Sequence, residues 1–139
     1  MTTPISPPPQ WSRRRQEKQR RLERVRGLAD GAVLPRERLV AALEALIAPG
    51  DRVVLEGNNQ KQADFLSRSL ARVDPGKLHD LHMIMPSVGR PEHLDLFELG
   101  IARKLDFSFS GPQSLRIGQL LEDGLLEIGA IHTYIELYA

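Results

Sequence analysis

The stretch Leu105-Asp-Phe-Ser-Phe-Ser-Gly-Pro-Gln113 gives the clearest indication of the fold in this chain of 139 residues. Its two phenylalanines alternate with polar residues, a pattern that predicts a half-buried β-strand over residues 105–110. Gly111-Pro112 predicts a turn, and a helix is expected over residues 113–122. The stretch therefore predicts one strand–turn–helix unit.

The same succession of strand and helix continues on both sides of this unit. Further strands are predicted at residues 52–56, 80–85 and 125–130. Helices are predicted at residues 12–27, 35–48, 60–73 and 91–102, and a further one begins at residues 133–139. Strands separated by helices of this length are typical of a parallel, doubly wound sheet. The predicted fold class is α/β, a mostly parallel sheet with flanking helices. The apolar run that reaches Ala139 in mid-pattern predicts an incomplete part of a larger domain.

The beginning of the chain differs in composition from the rest. Residues 1–11 are rich in proline and predict a disordered tail with polyproline II character. Residues 12–30 are predicted to form a basic helical arm, and residues 31–139 an α/β domain. Residues 1–30 contain eight Lys and Arg residues against three Asp and Glu residues, whereas the remainder contains eleven against fifteen.

The basic arm has two interpretations. One is a structural or partner-facing helix that is solvated on its charged side and packs through Trp11, Leu22, Val25 and Leu28. The other is nucleic-acid binding, which clustered basic residues favour. Proteins that bind single strands interleave aromatic residues for base stacking, and Trp11 is the only aromatic residue nearby. We therefore favour the first interpretation and expect no nucleic-acid partner.

The composition excludes several classes of chemistry. The chain has no cysteine, which rules out disulfides, thiolate metal sites and cysteine nucleophiles. No apolar stretch approaches the ~20 residues of a membrane span, and no apolar segment follows the basic residues as in a secretory signal. We therefore expect a cytoplasmic protein without a membrane partner. The four histidines form no HExxH pattern, so no metal is expected, and P-loop and GxGxxG motifs are missing.

The loop after the first strand of the predicted sheet holds the richest candidate site. Ligands bind at the carboxyl ends of strands in open α/β sheets, and Gly57, Asn58 and Asn59 follow such an end. A glycine lets backbone approach a ligand closely, and the first N–H groups of the next helix can stabilise an oxyanion. Lys61 adds a positive charge suited to a phosphate or a carboxylate. The alternative is an ordinary asparagine cap with a turn glycine.

Two further strand ends supply weaker candidates. Ser110 and Gly111 end the third strand, where a hydroxyl could contact a substrate, but a serine before a helix that Pro112 opens is more often a cap. His132 ends the fourth strand and is a candidate substrate contact or acid–base group. A lone histidine in such a place is more often a structural residue.

Long runs of the sequence match one family in order. These runs are Leu55-Glu-Gly-Asn-Asn-Gln-Lys-Gln-Ala-Asp-Phe-Leu66, His79-Asp-Leu-His-Met83, Pro91-Glu-His-Leu-Asp-Leu-Phe97, Gly100-Ile-Ala-Arg103, Leu105-Asp-Phe-Ser-Phe-Ser-Gly-Pro-Gln113 and Glu127-Ile-Gly-Ala-Ile-His-Thr-Tyr134. From Trp11 to Ala139 the chain closely resembles the α subunit of bacterial biotin-independent malonate decarboxylase. That subunit is similar to citrate lyase α subunits and to coenzyme A transferases.

The resemblance implies an activity and a set of partners. It implies an acyl-carrier-protein transferase that moves the carrier from an acetyl thioester to malonate, which gives malonyl carrier protein and acetate. The implied partners are the carrier (δ) subunit and the β and γ decarboxylase subunits. The chain itself is expected to hold no covalent cofactor, and to act on the carrier's phosphoribosyl-dephospho-coenzyme A group.

The resemblance also implies that catalytic residues lie elsewhere. Full α subunits contain two transferase-like halves, of which this chain matches the first part of the first half. In related coenzyme A transferases the acyl-accepting glutamate lies in the second half, so Glu56 is not assigned that role and the catalytic residue is unknown. The Gly57-Asn58-Asn59 turn is implied to contact the thioester or pantetheine. The alternatives are an inert assembly module of the complex and a nucleic-acid-binding protein.

Overall fold

A computed structural model of the protein describes residues 9–56 and 63–133. The chain divides into two compact units, residues 1–46 and 47–139. Among the helices of the described residues, none combines the length and the apolar character needed to cross a bilayer.

The first unit is helical. It contains α1 (Pro9–Arg26), a 3-10 turn (Arg36–Arg38) and α2 (Leu39–Leu46). α1 begins inside the stretch for which a disordered tail was predicted, because Pro9 occupies the first helical turn, where a missing N–H costs no hydrogen bond. The guanidinium of Arg24 donates to the carbonyl of Ala45 at 3.1 and 3.2 Å and so ties α1 to the end of α2.

The second unit alternates strands and helices. Its elements are β1 (Arg52–Val54), α3 (Asp64–Leu70), β2 (Leu81–Ser87), α4 (Pro91–Glu98), β3 (Ala102–Phe109), a 3-10 turn (Gly111–Gln113), α5 (Ser114–Glu122) and β4 (Glu127–Ile131). All four strands are parallel, in the order β1-β2-β3-β4. The predicted parallel α/β sheet is confirmed.

The doubly wound arrangement is wrong for the described strands. Double winding needs a point where the strand order reverses, and β1 to β4 follow one another in a single direction. Right-handed crossovers then place α3, α4 and α5 on the same face of the sheet.

The core lies between that face and the helices. The strands contribute the fully buried side chains of Leu81, Met83, Met85 and Leu105, and a nearly buried Phe107. The helices contribute Leu70, Leu94, Phe97, Ile117 and Leu120. Each such side chain stabilises the fold by about 1.5–3 kcal/mol relative to exposure. Alternation along the strands turns His82, Ile84, Asp106 and Ser108 to the opposite face.

β2 extends past the point where its end was predicted. Pro86 lies inside the strand, although proline has no N–H to donate to a ladder. The N–H of Leu55 bonds to the carbonyl of Ile84 at 3.0 Å, and β1 has already ended at Val54. Pro86, two residues after Ile84, therefore faces the side of β2 where β1 no longer pairs.

Several helices are shorter than predicted. α3 begins at Asp64 and ends at Leu70, while residues 60–62 of the helix predicted over 60–73 lie outside the described residues. α4 ends at Glu98 because Ala102 already pairs with Leu81 as the first residue of β3. The final predicted helix falls almost wholly on residues 134–139, which are also outside the description.

Candidate functional site

The carboxyl ends of β3 and β4 lie side by side. Phe107 pairs with Ile131, and the N–H of His132 donates to the carbonyl of Phe107 at 2.9 Å. The fold therefore brings Ser110, Gly111 and His132 to one edge of the sheet, as the sequence predicts. The other candidates, Gly57, Asn58, Asn59 and Lys61, lie outside the described residues, so their roles stay predictions.

The hydroxyl of Ser110 is engaged with the following helix. Its Oγ lies 2.8 Å from the Oγ of Ser114, which in turn donates to the carbonyl of Gly111 at 2.7 Å. Because the proton of Ser114 is used in that second bond, Ser110 is the donor in the first. Ser110 is thus left with acceptor lone pairs, and it must release Ser114 before it can donate to a carboxylate.

Two features favour glycine at position 111: the backbone conformation there and the nearby ring of Phe109. Its φ is +48°, a left-handed conformation that favours glycine. A Cβ at this position would lie 2.9 Å from Cε1 of Phe109, whose side chain is 60% exposed at the end of β3. The predicted site residue therefore has a structural reason to be glycine, independent of any ligand.

Asp106 lies between two histidines on the face of the sheet opposite the helices. Its Oδ1 is 2.9 Å from Nε2 of His82, and its Oδ2 is 3.9 Å from Nε2 of His132. The first is a close contact without the alignment of a hydrogen bond, and the second is too long for one. The side chains of His82 and Asp106 are only 14% and 15% exposed. We call these three residues the His–Asp–His cluster.

Asp106 also shapes the strand that leads to His132. The pairing of β3 with β4 shifts between Leu105 and Asp106, so that Gly129 has no partner of its own. At this bulge the N–H of Ala130 donates to Oδ1 of Asp106 at 2.9 Å. A Cβ on Gly129 would overlap the same carboxylate and would lie 2.6 Å from Cε of Lys104. One carboxylate therefore fixes the path of β4 immediately before His132.

The His–Asp–His cluster combines a carboxylate with two imidazole rings. A carboxylate beside an imidazole can fix the orientation of the ring, which suits a histidine that must accept or donate a proton in a set direction. Within residues 9–56 and 63–133, no three histidine or carboxylate side chains are arranged to hold a metal ion.

His132 is predictable as a site candidate from its place at a strand end, whereas His82 and Asp106 are not among the predicted site residues. Asp106 lies on the polar side of the alternating stretch that predicts β3, and a carboxylate on a strand flanked by other strands needs a partner. That partner, His82, is on β2 and is brought close only by the register of the two strands. The signal was present for Asp106, but the pairing was not visible in one sequence.

A second group of ionisable residues lies at the carboxyl end of β2. Nε of Arg90 is 3.4 Å from Oε2 of Glu92, whose pKa is lowered chiefly by a backbone N–H and further by Arg90. The next residue, His93, is fully buried, and neither ring nitrogen has a hydrogen-bond partner among the described residues. Burial lowers the pKa of His93, the positive charge of Arg90 lowers it further, and Glu92 opposes them. His93 is therefore held as a neutral imidazole.

Comparisons with known proteins agree with this fold and with the resemblance. A family model described as "Malonate decarboxylase, alpha subunit, transporter" matches residues 10–139. Among curated proteins, the acetyl-S-ACP:malonate ACP transferase of Malonomonas rubra is 52% identical over 111 residues, which are 80% of this chain and 20% of that protein.

Two solved structures share the fold. One is a Pseudomonas malonate decarboxylase hetero-tetramer in complex with malonate, in which the matching chain is 99% identical with a TM-score of 0.91. The match covers 95% of this chain and 24% of that one. The other is a malonate decarboxylase alpha subunit from Acinetobacter baumannii, at 73% identity and a TM-score of 0.90, covering 92% of this chain and 24% of that one.

The chain spans about a fifth of the length of the curated relative and about a quarter of the matched structures. The family match nevertheless extends over residues 10–139, nearly the whole sequence. The predicted resemblance is confirmed: the chain belongs to the malonate decarboxylase alpha-subunit family.

Proposed function

We propose that the longer protein to which this chain corresponds is an acyl-carrier-protein transferase that moves the carrier from an acetyl thioester to malonate. The observation that carries the proposal is the 52% identity to a protein named as acetyl-S-ACP:malonate ACP transferase. A 99% identical chain occurs in a malonate decarboxylase hetero-tetramer that was solved in complex with malonate.

The proposed reaction exchanges two acyl groups on one thiol. The bond between the acetyl carbonyl and the carrier's sulfur breaks, and the sulfur forms a thioester with one malonate carboxyl carbon. An oxygen of that carboxylate leaves in the acetate, so the products are malonyl carrier protein and acetate. Negative charge develops on a carbonyl oxygen in each step, and one well-placed N–H donor typically stabilises such charge by ~3 kcal/mol.

Within this chain, residues that follow three strands are proposed to serve that chemistry. After β1, the turn of Gly57, Asn58 and Asn59 supplies donors for the oxyanion or contacts for pantetheine, and Lys61 binds the spare carboxylate of malonate. Ser110, Gly111 and His132 line the substrate at the carboxyl ends of β3 and β4. Support for the second group comes from the meeting of the ends of β3 and β4 and from the carboxylate that orients the strand before His132.

The partners follow from the same proposal. The carrier (δ) subunit presents its phosphoribosyl-dephospho-coenzyme A group as the substrate thiol, and the chain itself holds no covalent cofactor. The β and γ subunits decarboxylate the malonyl group, and the whole complex acts in the cytoplasm. A hetero-tetrameric assembly of a 99% identical chain supports a multi-subunit complex.

A transfer assay on the full-length subunit tests this function. We expect acetyl carrier protein and isotope-labelled malonate to give labelled malonyl carrier and one acetate per transfer, with no reaction for the 139-residue chain alone. Acetate release that does not depend on malonate, or no release at all, would refute the proposal.

A double variant tests the turn. Replacing Asn58 and Asn59 by alanine in the full-length subunit should lower kcat by about 10²–10³-fold if a side-chain amide of the turn donates to the oxyanion. Gln119→Ala, on the exposed side of α5, is the control and should leave kcat unchanged. An unchanged kcat in the double variant would remove the two asparagine side chains from catalysis.

A further inference from the structure

One face of helix α1 carries a row of exposed apolar and basic side chains. The row consists of Trp11, Arg15, Lys18, Leu22 and Arg26. These residues follow one another at intervals of four, three, four and four positions, which keeps their side chains on one face of a helix. All five are exposed, Trp11 by 63% and Leu22 by 36%. We call this set the basic–apolar stripe.

The charges of the stripe have no partner in the described part of the chain. Two basic residues of α1 outside the stripe are engaged: Arg21 pairs with Glu17, and Arg24 donates to the carbonyl of Ala45. Arg15, Lys18 and Arg26 make no hydrogen bond or ion pair with any described residue. The hydrogen bonds that tie α1 to α2 come from Arg24, so none of the charges of the stripe is used in holding the first unit together.

The arrangement of side chains restricts what can bind there. The three positive charges of the stripe lie within four helical turns and favour a partner with an anionic surface. The exposed side chains of Trp11 and Leu22 favour a partner that also has apolar groups within that surface. An anionic membrane surface requires a continuous apolar face, which Lys18 interrupts between Trp11 and Leu22. A nucleic-acid strand requires several stacking aromatics, and the stripe has one. An acidic protein surface with an apolar centre satisfies both requirements.

We propose that the basic–apolar stripe is the docking surface for an acidic face of the acyl carrier protein. This proposal rests on the proposed function, since it is the transfer reaction that brings a carrier protein to the subunit. The carrier also delivers a phosphate-bearing prosthetic group, so its approach is that of an anion toward a positively charged helix. Charges exposed at such a surface act chiefly on encounter and on its salt dependence.

Two charge-reversal variants of the full-length subunit test the stripe. Arg15→Glu with Lys18→Glu reverses two of its charges. Arg13→Glu with Arg20→Glu makes the same change in net charge with exposed residues that also have no partner among the described ones. These lie two and nine positions after Trp11, on the opposite side of the helix. Circular dichroism checks that each variant keeps its helix.

The proposal predicts a split between kinetic constants. The stripe variant should raise the KM for acetyl carrier protein by about tenfold, with kcat and the KM for malonate unchanged, and should flatten the dependence of that KM on salt. Trp11→Ala should also raise the KM for the carrier while keeping its salt dependence. The control variant should leave the KM for the carrier near its wild-type value.

Direct binding separates failure of the stripe from failure of the proposed reaction. Calorimetry with unacylated carrier protein should show a loss of affinity in the stripe variant whether or not transfer is observed. Equal carrier affinity in the wild type, the stripe variant and the control would overturn the proposal. It would equally be overturned if only binding to anionic vesicles or to single-stranded RNA responded to the reversal.

Discussion

Gly129 lies so close to the side chain of Asp106 that no Cβ fits at this position. The carboxylate of Asp106 occupies the space where a Cβ would stand and accepts the N–H of Ala130. Gly129→Ala should therefore cost about 1–3 kcal/mol, as overpacking usually does. We expect a lower Tm and faster hydrogen exchange of the Ala130 amide, measured in the full-length subunit.

The chain contains a matched control for this change. Gly118 lies within α5, and a Cβ there would meet nothing within 4 Å. Gly118→Ala should stabilise the protein by up to ~1 kcal/mol through helix propensity. If both substitutions changed the Tm alike, the contact with Asp106 would carry no strain.

His93 makes the fold sensitive to acid. The pKa of His93 is lowered by burial. Below a pH of about 6.5, His93 therefore binds a proton in the unfolded chain but stays neutral in the folded chain until the pH reaches the lowered value. Stability is therefore full above that pH and falls as the pH drops toward the lowered value. Thermal unfolding of the full-length subunit from pH 7.5 to 5 should show this decline.

Replacement of His93 by an apolar residue tests the cause. Neither ring nitrogen has a partner among the described residues, so His93→Leu should be neutral or stabilising at pH 7. The same variant should lose part of the decline below a pH of about 6.5. A decline of unchanged size would assign the acid sensitivity to other groups.

Between elements, one arginine holds two helices together. From α5, Arg116 donates to Oε1 of Glu98 at 3.0 Å, to the carbonyl of Pro91 at 2.9 Å and to Oδ1 of Asp95 at 2.6 Å, which span the whole of α4. The side chain of Arg116 is 25% exposed and that of Asp95 39%, so the bond between them is partly shielded from water. Arg116→Ala should destabilise the fold by about 1–3 kcal/mol, measured by denaturant unfolding.

Arg103→Ala gives the contrasting case. Arg103 on β3 pairs with Glu127 on β4, but both side chains are about half exposed, and such pairs contribute about 0–1 kcal/mol. The Arg116 hydrogen bond also lowers the pKa of Glu98. The contribution of the Arg116–Glu98 pair to stability is therefore full above the usual glutamate pKa of 4.5 and is lost as the pH falls through the lowered value. Equal effects of the two alanine variants would contradict the shielded geometry.

The sequence predicted those elements whose identity depends on local pattern. Alternation of Phe107 and Phe109 with polar residues located β3, and Pro91 located the start of α4. The features that were not predicted depend on contacts between residues that are distant in the sequence. Pro86 is tolerated in β2 only because β1 is short, and His82 meets Asp106 only through the register of β2 and β3. The direction of winding likewise follows from strand order, which spacing alone does not determine.

As a whole molecule, the 139-residue chain presents apolar surface. In the second unit, Val54, Phe109 and Ile131 are 60%, 60% and 66% exposed at the ends and edges of the sheet. Among the described strands, β1 and β4 each pair on one side only. Open edges and apolar patches favour association, so we expect the isolated chain to self-associate with rising concentration in analytical ultracentrifugation.

Ile131→Lys provides the comparison for that measurement. A charge on the exposed edge strand should reduce association, since lysine on an edge opposes strand pairing between molecules. A monodisperse monomer for the unaltered chain, with a cooperative melt, would contradict the expectation.

The strand order described above also bears on how the sheet is made. Each strand pairs with the one synthesised immediately before it, so that β2 finds β1, β3 finds β2 and β4 finds β3 in the order in which they leave the ribosome. A parallel sheet is ordinarily slow to form, because distant segments must meet before any contact rewards them. Among the four strands of the described residues, none has to wait for a later one. The nascent chain can bury its apolar residues step by step as it grows, and the time it spends exposed to aggregation is correspondingly short.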